Sequence, residues 1–261
     1  VADTGDKVTI TGENFGTDPS DISVSFNGTP AEFELVDEST IVATTPADYQ
    51  TGSVTVTIHG YTMTGGAMFN PNSKGDVTVL YLQNYKQPFA KANDESWKNG
   101  EWWTPAVWNQ NAASFNAKGN TTVSGMQYKS EEGLTLAFQN GWDKEAYTNG
   151  KMWQVATLRP GKYRLEVTYA YTLVVTDAGN FISVLIAKGD SESDIPNVAD
   201  LEQLNGVYVA YDKMGTANDS GTLVTPSFEV TETTDVVIGF LTSLAKGNSY
   251  FKVTELKLIL E

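Results

Sequence analysis

LRPGKYRLEVTYAY, residues 158–171, is the stretch that decides the fold. Tyr163, Leu165, Val167, Tyr169 and Tyr171 fall on one parity, while Arg164, Glu166 and Thr168 fall on the other. Alternate side chains of an extended chain point to opposite faces, so this is a strand with one apolar and one polar face. Leu158-Arg159-Pro160-Gly161 in front of it reads as a tight turn, with Pro160 and Gly161 near its centre.

The same pattern extends in both directions. Downstream, NFISVLIAKG, GVYVAYDK, TLVTPSFEV, DVVIGFLTSL and SYFKVTELKLIL are short runs rich in Val, Ile, Leu and aromatic residues, bounded by turn residues. The last one changes phase: Phe251 and Val253 share a parity, and Leu256, Leu258 and Leu260 take the other. One extra residue near Thr254–Glu255 repairs the alternation, which predicts a β-bulge there. The one helix candidate is SDIPNVADLEQL, residues 193–204, and Pro196 argues against even that. Upstream, GLTLAFQ and KMWQVATL are strands, preceded by a segment reaching to about Lys118 without clear periodicity. Within it WKNGEWWTPAVW, residues 97–108, holds four of the six tryptophans. A loop that long is unusual unless it is functional or packed by its own side chains.

Residues 1–70 form a separate series. DKVTITG, ISVSFNG, AEFELV, STIVATTP and GSVTVTIHG are brief strands at short spacing, the signature of a sandwich. Asn27-Gly28-Thr29 reads as a hairpin turn. NPNSKGD, residues 70–76, suits a linker. The expected division is therefore a domain over residues 1–70, a linker over 71–76 and a second domain over 77–261.

Composition narrows the function. The formal charge is −15, which disfavours nucleic acid and bare anionic membranes and suits a neutral or cationic glycan better than a sulfated one. With no cysteine, disulfides, thiolate metal sites and cysteine nucleophiles are excluded. The single histidine, His59, sits at a strand end, where a surface or turn role is expected. No run of eighteen apolar residues offers a transmembrane helix. The chain opens on Val1, directly in strand-like sequence, so any export signal would lie outside it.

Sugar recognition needs a flat aromatic face for the apolar side of a pyranose and polar groups for its hydroxyls. Trp97, Trp102 and Trp103 supply rings beside Asp94 and Asn99, and Trp142 and Tyr147 form a second aromatic-polar loop. Trp102 and Trp103, being adjacent, cannot both face inward if extended. Trp108 and Trp153 read as packing residues. The bland alternative is a long loop held down by its own rings. Asp190, Glu192 and Asp194 alternate in the manner of oxygen ligands, but an EF-hand needs a closing glutamate that is absent, and a solvated acidic turn is the simpler reading. No cofactor is expected. Glycoside hydrolysis needs only two facing carboxylates, which 32 Asp and Glu residues cannot exclude. No nucleophile-elbow, zinc-protease or phosphate-loop motif is found.

Two resemblances accompany these residues. VTITGENFG with Gly12, Asn14, Phe15 and Gly16, then VSFNGTPAEF, STIVATTPA and GSVTVTIHG, resemble an IPT/TIG domain, which implies an immunoglobulin-like spacer or adhesion module. LTLAFQNGW, NGKMWQVATLRPGKYRLEV, SVLIAKGDSESDIPNV and YFKVTELKLIL resemble the galactose-binding-like jelly-roll domain found behind such repeats in surface lipoproteins of gut bacteria. That resemblance implies an outer-membrane surface location with a lipid anchor upstream, glycan or polysaccharide capture, and an outer-membrane transporter or other surface proteins as neighbours, and it allows one structural calcium. The expectation is an all-β protein with two sandwiches that binds glycan without catalysis through stacking on jelly-roll loops. A structural or adhesion protein and a divergent glycoside hydrolase are the alternatives.

Overall fold

The computed structural model describes residues 1–70, 73–92, 102–115, 124–140, 146–174, 179–213, 217–245 and 249–261. The chain divides into two compact units, residues 1–80 with Leu260 and residues 81–259 with Glu261.

The first unit is the immunoglobulin-like sandwich expected from the sequence. Its strands are β1 (Lys7–Thr11), β2 (Ile22–Phe26), β3 (Thr29–Ala31), β4 (Phe33–Asp37), β5 (Thr40–Thr44), β6 (Gly52–Ile58) and β7 (Tyr61–Met68). One sheet runs β1-β5-β4 and the other β3-β2-β6-β7. Alternation along β2, β5 and β6 sends Val24, Phe26, Ile41, Ala43 and Val56 into a core shared with Tyr49 and Phe15. Phe15 is buried because the turn before it is built for it. A Cβ on Gly12 would stand 2.5 Å from the Phe15 ring, so the ring lies against bare backbone. Asn14 (φ 60°) and Gly16 (φ 81°) then reverse the chain in the left-handed region. Asn27 (φ 45°) and Gly28 (φ 84°) form the β2–β3 hairpin turn, as their dipeptide predicts. His59 (φ 48°) occupies the β6–β7 turn, exposed, with Nδ1 3.7 Å from Asp21 Oδ1. Ser73, inside the expected linker, is buried; it bonds Thr51 and donates from Oγ to Asn70 O at 2.9 Å.

A short strand, β8 (Gly75–Asp76), and a single turn, α1 (Thr78–Tyr81), follow. The second unit then contains β9 (Trp102–Trp103), β10 (Asn109–Gln110), α2 (Ala112–Phe115), β11 (Ser124–Lys129), β12 (Gly133–Asn140), β13 (Tyr147–Leu158) and β14 (Gly161–Thr172). It continues with β15 (Phe181–Lys188), β16 (Gly206–Ala210), β17 (Asp219–Val224), β18 (Phe228–Val230), β19 (Thr234–Leu244) and β20 (Ser249–Leu260). A five-stranded sheet runs β10-β13-β19-β15-β16 and a larger one β17-β14-β20-β12-β11-β9, with β18 also beside β14. These two sheets make the jelly-roll sandwich.

The deciding strand behaves as its sequence dictates up to one point. Tyr163, Leu165, Val167 and Tyr169 are buried in turn. Tyr171 departs: it adopts φ 51°, the register with β17 shifts between Tyr169 and Thr172, and Thr172 takes the buried position. In β20 the parity of burial changes where the sequence places the extra residue. Phe251 and Val253 are buried, Thr254 and Glu255 are both part-exposed, and Leu256 and Leu258 are buried again. Aromatic contacts tie the sheets, Phe138 to Phe240 at 4.9 Å and Trp108 to Phe240 at 5.9 Å between ring centroids.

The helix candidate resolves into two 3-10 turns, Glu192–Asp194 and Val198–Gln203. Pro196 lies between them, and Asp200 leaves helical geometry at φ −116°, ψ 20°. Ser191 and Asp194 form a reciprocal cap. The segment lies along the outer face of the five-stranded sheet. Its Ile195 and Leu201 pack on Trp153, Leu185, Ala187, Val237 and Leu241, the strand residues whose parity points away from the main core.

Candidate functional site

The aromatic residues expected to face a ligand divide sharply. β9 is the edge strand of the larger sheet, with Trp102 opposite Gln127 and Trp103 opposite Met126 on β11. Extended geometry sends the two indoles to opposite faces, as their adjacency requires. Trp102 is 5% exposed and offers no open ring; Trp103 is half-buried, with Lys91 Nζ 5.9 Å from its ring centroid. Tyr147 is not on a rim either. It is 6% exposed, its hydroxyl lies 3.1 Å from Thr242 Oγ1, and burial pushes the phenol well above its ordinary proton affinity. The reason is its place in β13 opposite Leu244 on the central strand β19, where a ring must pack. Trp97, Asp94, Asn99 and Trp142 lie outside the described residues.

The described part of this segment is held by its own contacts. Asn84, at φ 46°, donates from Nδ2 to Ala90 O (2.9 Å) and Ala106 O (3.0 Å) and accepts Ala90 N on Oδ1 (2.6 Å). Trp108 Nε1 donates to Asn84 O at 3.0 Å. Ala92 N–H donates to Thr104 O and Ala106 N–H to Ala90 O, both at 2.9 Å. Trp108 and Trp153 are buried, as expected of packing residues.

A concave site lies elsewhere, where the 3-10 segment meets the five-stranded sheet. It is a hollow of about 390 Å³. Lys151 of β13 and Lys188 at the end of β15 contribute to its walls, with Asn197, Asp200, Gln203 and Asn205 from the segment between β15 and β16. Among the described residues, no hydrogen bond or ion pair engages the side chains of Lys188, Asn197, Asp200, Gln203 or Asn205. Backbone bonds shape the mouth, with Lys188 N–H donating to Asn205 O and Gly189 N–H to Asp235 O, each at 2.9 Å.

Lys151 is the buried member. It is 7% exposed, Nζ donates to Glu192 O at 3.3 Å, and the Glu192 carboxylate stands 4.0 Å away. Burial lowers the ammonium's proton affinity, with Glu192 working against that. Its backbone is fixed by Asn111, whose Oδ1 accepts Lys151 N (3.0 Å) and Ser114 N (2.9 Å) and whose Nδ2 donates to Glu192 Oε1 (3.2 Å).

The acidic run next to the hollow does not converge on a cation. Asp194 Oδ2 accepts Ser191 Oγ (2.8 Å), Ser191 N and Asp190 N (3.0 Å each), and the Ser191 hydroxyl above all holds the carboxyl below its usual range. Glu192 turns to Lys151 and Asn111 instead. A Cβ at Gly189 (φ 134°) would stand 2.1 Å from Asp194, so glycine is required for the cap to close. Among the described residues no three His, Cys, Asp or Glu side chains are grouped to hold a metal ion.

Sequence reasoning missed this hollow, and also a second polar cluster. Tyr169 and Tyr211 both donate to Asp219 Oδ2, at 3.2 and 2.8 Å, and Lys213 Nζ lies 3.3 Å from Oδ1. Burial alone would raise this carboxyl, but the bonds from Tyr211, Lys213 and Tyr169 bring it below the ordinary aspartate value. The phenols also pack edge-on at 5.5 Å, so the cluster ties β14 and β17 to the residues just beyond β16.

No described helix is long and apolar enough to cross a membrane. No curated protein matches the chain. Among solved structures, TmCBM61 in complex with β-1,4-galactotriose is 14% identical over 69% of this chain and 98% of its own, at TM-score 0.36. A Bacteroides thetaiotaomicron protein assigned provisionally to sugar binding is 11% identical over 69% and 99%, at 0.38. The K3 cleaved adhesin domain of Lys-gingipain from Porphyromonas gingivalis is 11% identical over 59% and 91%, at 0.34. At these TM-scores none of the three bears on what this chain binds. Family models match more firmly: IPT/TIG over residues 1–73, and the family described as domain of unknown function (DUF5013) over residues 83–239. The larger of these matches spans more than half of the sequence, and the chain therefore belongs to the DUF5013 family, with an IPT/TIG domain in front.

Proposed function

We propose that this protein binds glycan without catalysis, at the cell surface, and that the jelly-roll unit carries the site. The observation behind this reading is the polar hollow. A pyranose presents hydroxyls that donate and accept at once, and the hollow offers ammonium, amide and carboxylate groups not bonded to protein. Ligand pockets span roughly 300–1,000 Å³, so the hollow suits a mono- or disaccharide unit. Trp103, part-exposed on the edge strand of the other sheet, is a separate candidate for stacking.

Display on the outer membrane through an upstream lipid, beside a transporter or other surface proteins, belongs to the same proposal; protease shaving of intact cells tests it. The adhesion reading draws on the burial of Trp102, Trp108 and Trp153.

Glycan arrays and affinity gels test the proposal with wild type, Gln203→Ala/Asn205→Ala and Trp103→Ala. Retention should be lost in the double variant at unchanged thermal unfolding. Unchanged retention removes the hollow as the site, and retention of no glycan by wild type favours adhesion.

A further inference from the structure

We infer that Asn205 is a site of spontaneous deamidation, and that the reaction recharges one wall of the hollow. An asparagine followed by glycine is open to this chemistry because no Cβ shields the glycine nitrogen. The chain has five such pairs, beginning at Asn27, Asn99, Asn140, Asn149 and Asn205. Asn99, Gly100 and Gly141 lie outside the described residues. Of the three pairs described in full, Asn205-Gly206 has both reacting groups free. The Asn205 side chain is exposed and makes no hydrogen bond among the described residues. The Gly206 nitrogen is free for a reason of register. β16 is the last strand of its sheet, and Gly206 stands opposite Ala187. Lys188 N–H donates to Asn205 O and Tyr211 N–H to Ile182 O, each at 2.9 Å. Those two bonds make Ala187–Gly206 and Ser183–Ala210 non-hydrogen-bonded pairs of the antiparallel ladder. The Gly206 N–H therefore points away from β15, off the edge of the sheet.

The other two pairs are held. Asn27 Nδ2 donates to Thr51 O at 3.2 Å, and a Cβ on Gly52 would stand 2.4 Å from Asn27 Cγ, so that side chain is packed against backbone. Asn149 Oδ1 accepts Val198 N–H at 2.9 Å, and Gly150 is buried within β13. Glycine at 206 is itself fixed by packing, since a Cβ there would meet Ile186 O at 2.2 Å. The susceptible pair thus follows from the seating of β16 on β15. In the reaction the Gly206 nitrogen gives its proton to hydroxide and bonds to Asn205 Cγ, and the Cγ–Nδ2 bond breaks to release ammonia. Water then opens the succinimide at either carbonyl, to aspartate or to isoaspartate. Both products add a carboxylate to walls that already carry Asp194 and Asp200. Isoaspartate also lengthens the main chain at the residue whose carbonyl accepts Lys188 N–H.

The test ages the full wild-type chain at mildly alkaline pH and follows each Asn-Gly peptide by mass spectrometry, with enzymatic methylation of isoaspartate as a second readout. Asn205 should convert at least about tenfold faster than Asn27 or Asn149. Freeing either of those costs a hydrogen bond, and about 1.4 kcal/mol is tenfold in rate. In urea, where the fold no longer holds Asn27 and Asn149, the three rates should come together. Asn27 or Asn149 keeping pace with Asn205 in the folded chain overturns the inference, and so does an Asn205 that converts only in urea. The same ranking in urea as in the folded chain overturns it too, because neighbouring residues rather than the fold would then set the order.

Discussion

Two segments of the jelly-roll unit invite comparison: the aromatic one around β9 and the polar one between β15 and β16. The first holds the tryptophans that suggest stacking, yet Trp102 is sealed and the segment is tied to itself through Asn84 and Trp108. The second is acidic and amide-rich, resembling an ordinary solvated turn, yet it roofs the outer sheet face and leaves polar side chains unbonded around a hollow. Ring density marked what had to be packed. Hydrogen-bonding capacity left over after folding marks what can be bound.

The largest expected effect concerns the floor beneath the polar segment. Trp153→Ala removes the biggest ring under Ile195 and Leu201, and should cost about 3–5 kcal/mol in urea unfolding. A much smaller loss would mean that the segment is not seated on that ring. Trp102→Ala should cost about as much, and Trp103→Ala at least ~1 kcal/mol less, since its ring is only half-covered. Equal losses would erase the difference between the two faces of β9.

A smaller effect is expected at the cap. Asp194→Asn should cost about 1 kcal/mol at neutral pH, the scale of a lost side-chain cap. The sign with pH follows from the lowered folded-state affinity of Asp194. The stability it contributes is complete above the ordinary aspartate value and is lost as pH falls through the lower folded value. Wild type and variant should therefore converge in strong acid; a gap that persists there would mean the charge is not what holds the turn. The smallest effect is Lys188→Gln, within about 0.5 kcal/mol of wild type. A large loss there would make Lys188 a structural residue and remove it from the binding wall.

Much of the fold was legible because strands write themselves locally. Tyr163 to Tyr169 alternate in sequence and in burial, Asn27-Gly28 names its own turn, and the phase change in β20 is visible as a change of parity. Tyr171 was not legible: its alternation continues in sequence, and only pairing with β17 reveals that Thr172 takes the inward place. The 3-10 turns were half-legible, since Pro196 forbade a continuous helix without saying what would replace it. The hollow could not be read at all. Lys151, Lys188 and Asn205 are far apart in sequence, and each is an unremarkable polar residue until β13, β15 and the roof segment meet. A useful signal was present in PNVADLEQLN, where Leu201 anchors one side and the amides have no partner of their own.

The phase change at Thr254–Glu255 has a consequence for how the sequence can vary. Both halves of β20 are inward-facing only because two consecutive residues sit between Val253 and Leu256. Excising one of them leaves Val253 and Leu256 at the spacing of regular alternation, so Leu256, Leu258 and Leu260 keep their inward faces and only the irregularity is lost. Losing a single codon here should thus be borne better than losing one elsewhere in the closing strand, where the same deletion turns every residue beyond it to the opposite face.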